Sequence, residues 1–369
     1  MNQDRYQFFM NKAFVLAESG LGRTWPNPSV GCVIVKNDKI IASARTADGG
    51  RPHAETIALE AAGIQARGAT MYTTLQPCDH IGKTPSCAKA IVSAGIAEIV
   101  YAIGDPTQSD AALLPFKETN VRVVGDFDVA QGAAVNEAFL KKVAAQRPFV
   151  TTKIATTLDS RIATKNGESQ WITGPQARKA VHEMRARHDA IMVGIGTVLA
   201  DDPSLTVRDI DQDDARPVRP VRIVIDRDLQ TPVDSRLVES AKNAAVWLIC
   251  SHQAGRNKGD VFRDNSVEIM CMDHNPYGFF HPQDILKMLG EAGLNSLFIE
   301  GGGFTMTSFM KAQLIDRLVW MRAPKIMGNQ GIPAFGDLKI DRLDDCFAFD
   351  LVKQEKHGQD LLEIWEPIV

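Results

Sequence analysis

Residues 52–87 constrain this chain more than any other stretch: Pro52-His53-Ala54-Glu55 is followed by Gln76-Pro77-Cys78 and, after eight intervening residues, by Cys87. One His and two Cys form a zinc-type ligand set. Three protein ligands leave the fourth tetrahedral position open for water, as catalytic sites do and structural sites do not. The pattern predicts a helix from His53 to Ala62, closed by Gly63, and a strand from Met71 to Leu75 running into Pro77-Cys78. Pro85 and Ser86 precede Ala88-Lys89-Ala90-Ile91-Val92, which puts Cys87 at the N-terminus of a second helix. The partial positive charge there lowers a thiol pKa and favours the thiolate that zinc requires.

The residue types follow from the chemistry. Zinc lowers the pKa of bound water from 15.7 to about 7 and so supplies hydroxide at neutral pH. Glu55, two residues from His53, is placed to take that proton and return it to a ring nitrogen and a departing amine. His-x-Glu with Pro-Cys is the zinc-deaminase signature, in which the Glu is a proton shuttle and not a ligand. Here the second Cys follows at C-x8-C instead of C-x2-C. A structural zinc completed by His80 or Cys32, or no metal at all, is the competing reading.

At 369 residues the chain fits two domains, each able to bury a core. A net charge of −4 leaves no basic footprint for nucleic acid, so a small-molecule substrate is favoured. The N-terminal residues Met1 to Arg5 lack a basic segment leading into an apolar run, and the longest nearly apolar stretch, Ala190 to Ala200, is short of a membrane span. A cytoplasmic protein is expected. Cys32, Cys250, Cys271 and Cys346 are then reduced and largely buried small hydrophobes.

Along the chain, Tyr6, Phe9, Met10, Ala13, Leu16 and Ala17 recur at helical spacing, and Gly20 with Gly22 ends the pattern. Val30 to Val35 and Ile40 to Ala44 read as paired strands, Glu98 to Ile103 and Val121 to Val124 as further strands, and Val135 to Ala145 as a closing helix. Arg147-Pro148-Phe149 is the boundary, giving domains at 1–146 and 147–369. The second domain alternates again, with strands at Phe149 to Ala155, Ala190 to Val193, Val221 to Ile225, Ala245 to Ile249, Ser296 to Ile299 and Leu318 to Ala323, and a helix opening at Thr173-Gly174-Pro175. Alternating strands and helices make both domains layered α/β units. Asp209 to Asp214 reads as a solvated insertion.

Two glycine clusters, Gly194-Ile195-Gly196-Thr197 and Glu300-Gly301-Gly302-Gly303, each follow a strand and open a helix. Such turns present backbone N–H groups to phosphate, although either alone is more often just a tight turn. Leu199 stands where the last glycine of G-x-G-x-x-G would be, so the ordinary dinucleotide fingerprint fails. Two such turns in one domain shift the reading toward a phosphate-bearing cofactor.

Together these residues resemble the bifunctional riboflavin-biosynthesis enzymes that join a pyrimidine deaminase to a reductase. The resemblance rests on Pro26-Asn27-Pro28-Ser29-Val30-Gly31, Pro52-His53-Ala54-Glu55 and Pro77-Cys78 through Gly82-Lys83-Thr84-Pro85-Ser86-Cys87 in the first half. In the second it rests on Thr157-Leu158-Asp159-Ser160-Arg161, Gly167 through Ile172, Leu199 through Pro203 with Leu205-Thr206-Val207-Arg208, and Ile299-Glu300-Gly301-Gly302. It implies a cytidine-deaminase-like three-layer domain followed by a dihydrofolate-reductase-like α/β domain. The first would hydrolyse the 2-amino group of 2,5-diamino-6-ribosylamino-4(3H)-pyrimidinone 5′-phosphate; the second would reduce the ribosyl unit to ribityl with NADPH, giving 5-amino-6-(5-phosphoribitylamino)uracil. A homo-oligomer, a dimer ahead of a tetramer, is implied as well.

Carried onto matching positions, the resemblance makes His53, Cys78 and Cys87 the ligands of one zinc ion and Glu55 the shuttle. Asn27 would read the pyrimidine edge, and His80 and Lys83 would face the substrate phosphate. Ser169, Arg185, Leu205, Arg208 and Glu300 would line the reductase substrate. Ala155, Trp171, Thr197, Asp201 and the turn Gly302, Gly303, Phe304, Thr305, Met306, Thr307 and Ser308 would hold NADPH. Singly, Trp171 reads equally as core, and Arg185, Arg208 and Lys83 as surface charges.

Three positions depart from the family pattern. Thr46 stands where a His is usual, with Arg45 beside it, and Arg45 is expected to take over the phosphate. Thr107-Gln108 replaces Asn-Pro after Asp105-Pro106, and the glycine-rich stretch that normally follows is missing. Arg227 follows Asp226 where a small hydroxyl residue is usual, and a guanidinium there suits the cofactor's 2′-phosphate. A nucleic-acid base deaminase with an unrelated C-terminal domain is a second reading, opposed by the acidic charge. A lapsed deaminase kept as an assembly platform for a working reductase is a third, separable by zinc content and turnover.

Overall fold

The computed structural model describes residues 2–79, 86–210 and 217–368, and the chain divides into two compact units, residues 1–147 and 148–369. In the first, α1 (Asn2–Ser19) leads into the hairpin β1 (Gly31–Lys36) and β2 (Lys39–Arg45), followed by α2 (Ala54–Ala62), β3 (Thr70–Thr73), α3 (Cys87–Ala94), β4 (Glu98–Tyr101), the single turn α4 (Leu114–Lys117), β5 (Arg122–Val124), α5 (Val129–Val135) and α6 (Glu137–Ala145). The sheet order is β2-β1-β3-β4-β5, antiparallel around β1 and parallel from β3 to β5.

The period of two along β1 sorts the layers. Val33 and Val35 face Tyr6, Phe9, Met10, Ala13, Phe14 and Ala17 of α1, with Val135 of α5 on the same side. Cys32 and Ile34 face the alanines of α2 and Ala88 and Ile91 of α3. Phe14 fills the helix stripe at 1% exposure, with Leu16 packed at its margin. Small side chains on α2 and α3 let both helix starts approach the sheet. The helix expected from Val135 to Ala145 is two helices meeting at Asn136, whose amide donates to Gly132 O at 2.9 Å. A buried side chain that bonds the backbone ends one helix and starts the next.

The second unit carries β6 (Phe149–Thr157), β7 (Arg161–Ala163), α7 (Pro175–Ala186), β8 (Ala190–Gly194), α8 (Ile195–Asp201), β9 (Val221–Ile225), α9 (Arg236–Glu239), β10 (Val246–Ser251), α10 (His252–Asp264), β11 (Glu268–Met272), α11 (Pro282–Glu291), β12 (Ser296–Glu300), α12 (Gly303–Lys311), β13 (Arg317–Ala323), β14 (Ile332–Pro333), β15 (Phe349–His357) and β16 (Asp360–Pro367). Its main sheet runs β11-β10-β9-β8-β12-β6-β13-β16-β15, parallel from β11 to β13 and antiparallel beyond. The carboxyl ends of seven strands therefore share one edge, where open α/β sheets hold their ligands.

β15 escaped the sequence reading because Leu351 through Lys356 are exposed throughout, so no apolar alternation marks the strand. Pairing with β16 around Gly358, at φ +67°, imposes it. Cys346 is exposed, contrary to expectation, in the polar loop that precedes β15. Most of the Asp209–Asp214 insertion lies outside the described residues.

Candidate active sites

In the first unit His53 is the residue before α2, Glu55 lies in its first turn, Cys78 follows β3 and Cys87 opens α3. Ser86 caps α3, accepting from Lys89 N at 3.2 Å, and its hydroxyl lies 3.2 Å from Cys78 O and 3.0 Å from Asp79 Oδ1. Ala88 N donates to Cys78 O at 3.1 Å. The cap of one ligand's helix thus holds the backbone of the other ligand.

His53 Nδ1 lies 3.4 Å from Cys87 Sγ and 3.6 Å from Cys78 Sγ, and all three ligand atoms fall within 4.8 Å of one another. A tetrahedral zinc, with Zn–N about 2.0 Å and Zn–S about 2.3 Å, sets its nitrogen and sulfur ligands roughly 3.5 Å apart. The donor set fits one such ion. Among the described residues no fourth protein ligand joins this group. Hydrogen bonding to Cys87, then to His53, lowers the Cys78 thiol, while the same shared bond and burial push Cys87 up, against the lowering expected from its place at a helix start. Glu55 is buried at 4% exposure, and burial raises its carboxyl above the ordinary range.

Asn27 donates from Nδ2 to Gly50 O at 2.7 Å. Thr46 is buried, its hydroxyl accepting from Val30 N at 3.0 Å, so this side chain is spent on the sheet. Arg45 donates to Thr46 O and to Asp48 Oδ1, both at 2.7 Å, and Asp48 also meets Arg23 at 3.3 Å. His80 and Lys83 lie outside the described residues. Sequence reasoning missed Gln108, whose Oε1 accepts from Asp79 N at 3.2 Å and so braces the segment carrying Cys78. Its only sequence signal was its departure from the family pattern.

In the second unit the carboxyl end of β12 places Glu300 beside Arg185 of α7: Arg185 Nε donates to Glu300 Oε1 and Nη2 to Oε2 at 2.9 Å, while Nη1 reaches Thr206 O at 2.9 Å. Lys153 of β6 is the register partner of Glu300, and burial lowers its pKa. Burial works to raise Glu300, but the charge and bonds of Arg185 prevail and hold it below the ordinary value. His182 joins the cluster, kept neutral to about 4 by burial and by Arg185 and Arg208, and its Nδ1 faces Arg208 N at 3.4 Å. The Arg208 side chain is half exposed, 3.7 Å from Asp209. Leu205 is buried in the core at φ +48°. Lys153 went unread in the sequence because only strand register sets it opposite Glu300.

The structure brings the two glycine turns together. Gly301 and Gly302 have φ of +78° and +77°, and a Cβ built on Gly302 would lie 3.5 Å from Thr197 Oγ1. Gly194 approaches Thr305 in the same way. Within the second turn Thr305, Met306 and Thr307 are buried, whereas Phe304 is exposed. Asp201 Oδ1 accepts from Gln170 Nε2 at 3.3 Å, next to the partly buried Ser169. Trp171 is no core residue: its ring is exposed, with the Arg178 guanidinium 4.4 Å from its centroid. Ala155 is half-buried on β6. Arg227 binds Asp228 through Nε and Nη2, at 3.0 and 2.6 Å, and Gly278 O through Nη1 at 2.9 Å.

Residues 3–103 match the cytidine and deoxycytidylate deaminase zinc-binding region, and residues 148–362 match the RibD C-terminal domain. The riboflavin biosynthesis protein RibD of Aquifex aeolicus is 36% identical over 356 residues, 96% of either chain. That of Escherichia coli is 35% identical over 369 residues, covering 97% of this chain and 98% of that one. Acinetobacter baumannii RibD matches all of both chains with a TM-score of 0.89 at 30% identity. A Thermotoga maritima diaminohydroxyphosphoribosylaminopyrimidine deaminase/5-amino-6-(5-phosphoribosylamino)uracil reductase does so at 0.86 and 33%. The expected order of α/β units holds, a cytidine-deaminase-like unit followed by the RibD C-terminal domain. No helix among the described residues is long and apolar enough to cross a membrane. With both catalytic regions present in order and near-complete coverage of its relatives, the chain belongs to the RibD family of bifunctional riboflavin-biosynthesis deaminase/reductases.

Proposed function

We propose that the first unit, with its boundary at residues 146–147, hydrolyses the 2-amino group of 2,5-diamino-6-ribosylamino-4(3H)-pyrimidinone 5′-phosphate at a single zinc ion held by His53, Cys78 and Cys87. The observation that carries the reading is a tetrahedral-spaced His/Cys/Cys set with a buried carboxylate two residues from the His on the same helix start. Zinc, when bound, is a Lewis acid that brings the pKa of a water to about 7. Glu55 would carry the attacking water's first proton to the ring nitrogen and its second to the departing amine, so that water oxygen replaces nitrogen and ammonia leaves. Asn27 orients the pyrimidine. Arg45, which gives two of its five N–H groups to Thr46 and Asp48 and keeps three, meets the substrate phosphate with His80 and Lys83.

The second unit would bind NADPH, which when bound would be the hydride source for reducing the ribosyl to the ribityl chain. Arg208, half exposed with Asp209 3.7 Å away, clamps the ribose phosphate. Arg185 fixes Glu300, with Lys153 beside it, so the substrate hydroxyls meet a carboxylate that does not move. Ser169 and Leu205 complete that wall. Ala155, Trp171, Thr197, Asp201 and the turn at Gly302–Ser308 hold the cofactor, and Arg227 reads its 2′-phosphate. The enzyme works as a cytoplasmic homo-oligomer on a free nucleotide.

The test supplies the zinc-loaded chain with the diaminopyrimidinone nucleotide and follows ammonia and NADPH separately. Ammonia release without NADPH, and NADPH oxidation only after deamination, is expected. NADPH oxidation of supplied deaminated nucleotide without any ammonia from the first substrate would leave only the reductase.

A further inference from the structure

Residues 273–281, Asp273-His274-Asn275-Pro276-Tyr277-Gly278-Phe279-Phe280-His281, leave the carboxyl end of β11 and lead to α11. The loop is internally braced. Asn275 Oδ1 accepts from Tyr277 N and Phe279 N, both at 3.0 Å, while Asn275 N donates to Phe279 O and Gly278 N to Asn275 O, both at 2.9 Å.

It is tied at two points to the carboxyl ends of other strands. Just past β9, Arg227 donates to Gly278 O at 2.9 Å; Gly278 sits at φ +82°, where an added Cβ would run into Arg227 Nη1. A residue other than glycine would displace the loop. At the far end, Phe279 packs on Phe304, ring centroids 5.2 Å apart at 38°, and Phe304 directly follows the turn at Gly301-Gly302-Gly303. The segment thus passes from β11 past β9 to the glycine turn after β12, along the edge where a nucleotide lies.

The two rings touch each other yet stay 47% and 66% exposed. Large aromatic side chains left open at a ligand edge, beside a guanidinium, form the surface on which a purine stacks. Arg227 gives three of its five N–H groups to Asp228 and Gly278, which leaves two for a phosphate.

We propose that residues 273–281 form a strap over the adenosine half of the dinucleotide, with Phe279 the ring against which adenine stacks and Arg227–Gly278 its clasp. The inference rests on the NADPH reading above and adds to it a binding element outside the glycine turns.

Titration calorimetry on the full chain tests it with three probes: NADPH, adenosine 2′,5′-bisphosphate and reduced nicotinamide mononucleotide. Phe279→Ala is expected to weaken NADPH and the bisphosphate about tenfold, the scale of base–aromatic stacking, and to leave the mononucleotide within about twofold. Phe279→Tyr keeps the ring and should bind all three as the unaltered chain does, whereas Gly278→Val, which moves the strap, should behave like Phe279→Ala. Bisphosphate binding unchanged in both Phe279→Ala and Gly278→Val overturns the strap alone. No NADPH binding by the unaltered chain overturns the cofactor reading and the strap with it.

Discussion

The two candidate sites are assembled by opposite means. The deaminase centre draws its candidate ligands and shuttle from residues 53–87, at two helix starts and in the loop after β3, so local structure does most of the placing. The reductase cluster draws Lys153, His182, Arg185 and Glu300 from three elements between residues 153 and 300, joined by strand register and helix packing. The first site concentrates reactive groups and leaves a coordination position to chemistry. In the second, opposite charges are spent on each other, and what they offer a substrate is rigidity. Local motifs therefore tolerate loss of a single functional group without loss of fold, whereas the dispersed cluster ties function to stability.

That contrast is broken most directly at Glu55. Glu55→Gln removes the shuttle and spares all three ligands, so ammonia release should fall by roughly 10²–10⁴-fold, the range of general acid–base catalysis. Zinc content by elemental analysis and NADPH oxidation on deaminated substrate should both persist. Near-normal ammonia release in this variant would remove Glu55 from the mechanism.

At the opposite pole, Arg185→Ala leaves Glu300 buried beside Lys153 without its bidentate partner, and breaking a buried pair costs about 3–5 kcal/mol. Urea unfolding of the second unit should shift accordingly, with loss of reductase activity. Unchanged stability would mean that the dispersed cluster is as replaceable as a motif.

A pH series sharpens the same point through His188, which donates from Nδ1 to Met184 O at 2.7 Å and accepts at Nε2 from Thr151 Oγ1 at 2.9 Å. Burial holds it neutral to about 4. The unfolded chain takes up its proton near 6.5 while the folded one does not, so the stability this group contributes is complete above about 6.5 and is lost as pH falls toward 4. The full loss is on the order of 3 kcal/mol. Unfolding free energies from pH 8 to 5 should show that slope, and His188→Gln should reduce it to the part left by His182, which burial also holds neutral to about 4; equal slopes in the two proteins would refute it.

Smaller effects belong to the solvent-facing arginines. Arg208→Ala should raise the reductase KM for its nucleotide about tenfold, one charge-assisted bond, with Arg208→Lys restoring little. Arg45→Ala should raise the deaminase KM by several-fold, below the tenfold of a freely placed arginine, because Asp48 already engages the guanidinium. The dephosphorylated substrate distinguishes the roles: if it responds as the phosphorylated one does, Arg45 acts by holding Thr46 and Asp48 and not by meeting phosphate.

Most strands and helices were legible because apolar residues recur at the period of the element they build. The opening helix is the plainest case, with Phe14 the one buried residue of its stripe left unnamed. The Val135–Ala145 reading failed because apolar residues continue across Asn136 while the amide of Asn136 bonds backward. The last hairpin was missed because β15 buries neither face. The core alternative for Trp171 fails, because its ring is exposed with Arg178 over it.

By itself the sequence determined the chemistry of the first unit, because ligand type, order and the two helix starts are local properties that survive translation into three dimensions almost unchanged. It also set the α/β class, since period and alternation are local too. Only tertiary structure decided that Glu300 meets Arg185 and Lys153, that the two glycine turns close on each other through Thr197 and Thr305, and that Phe279 reaches Phe304. The physical reason is that strand order in a parallel sheet is set by crossover connections and burial summed over the whole domain, and no window of residues carries that sum.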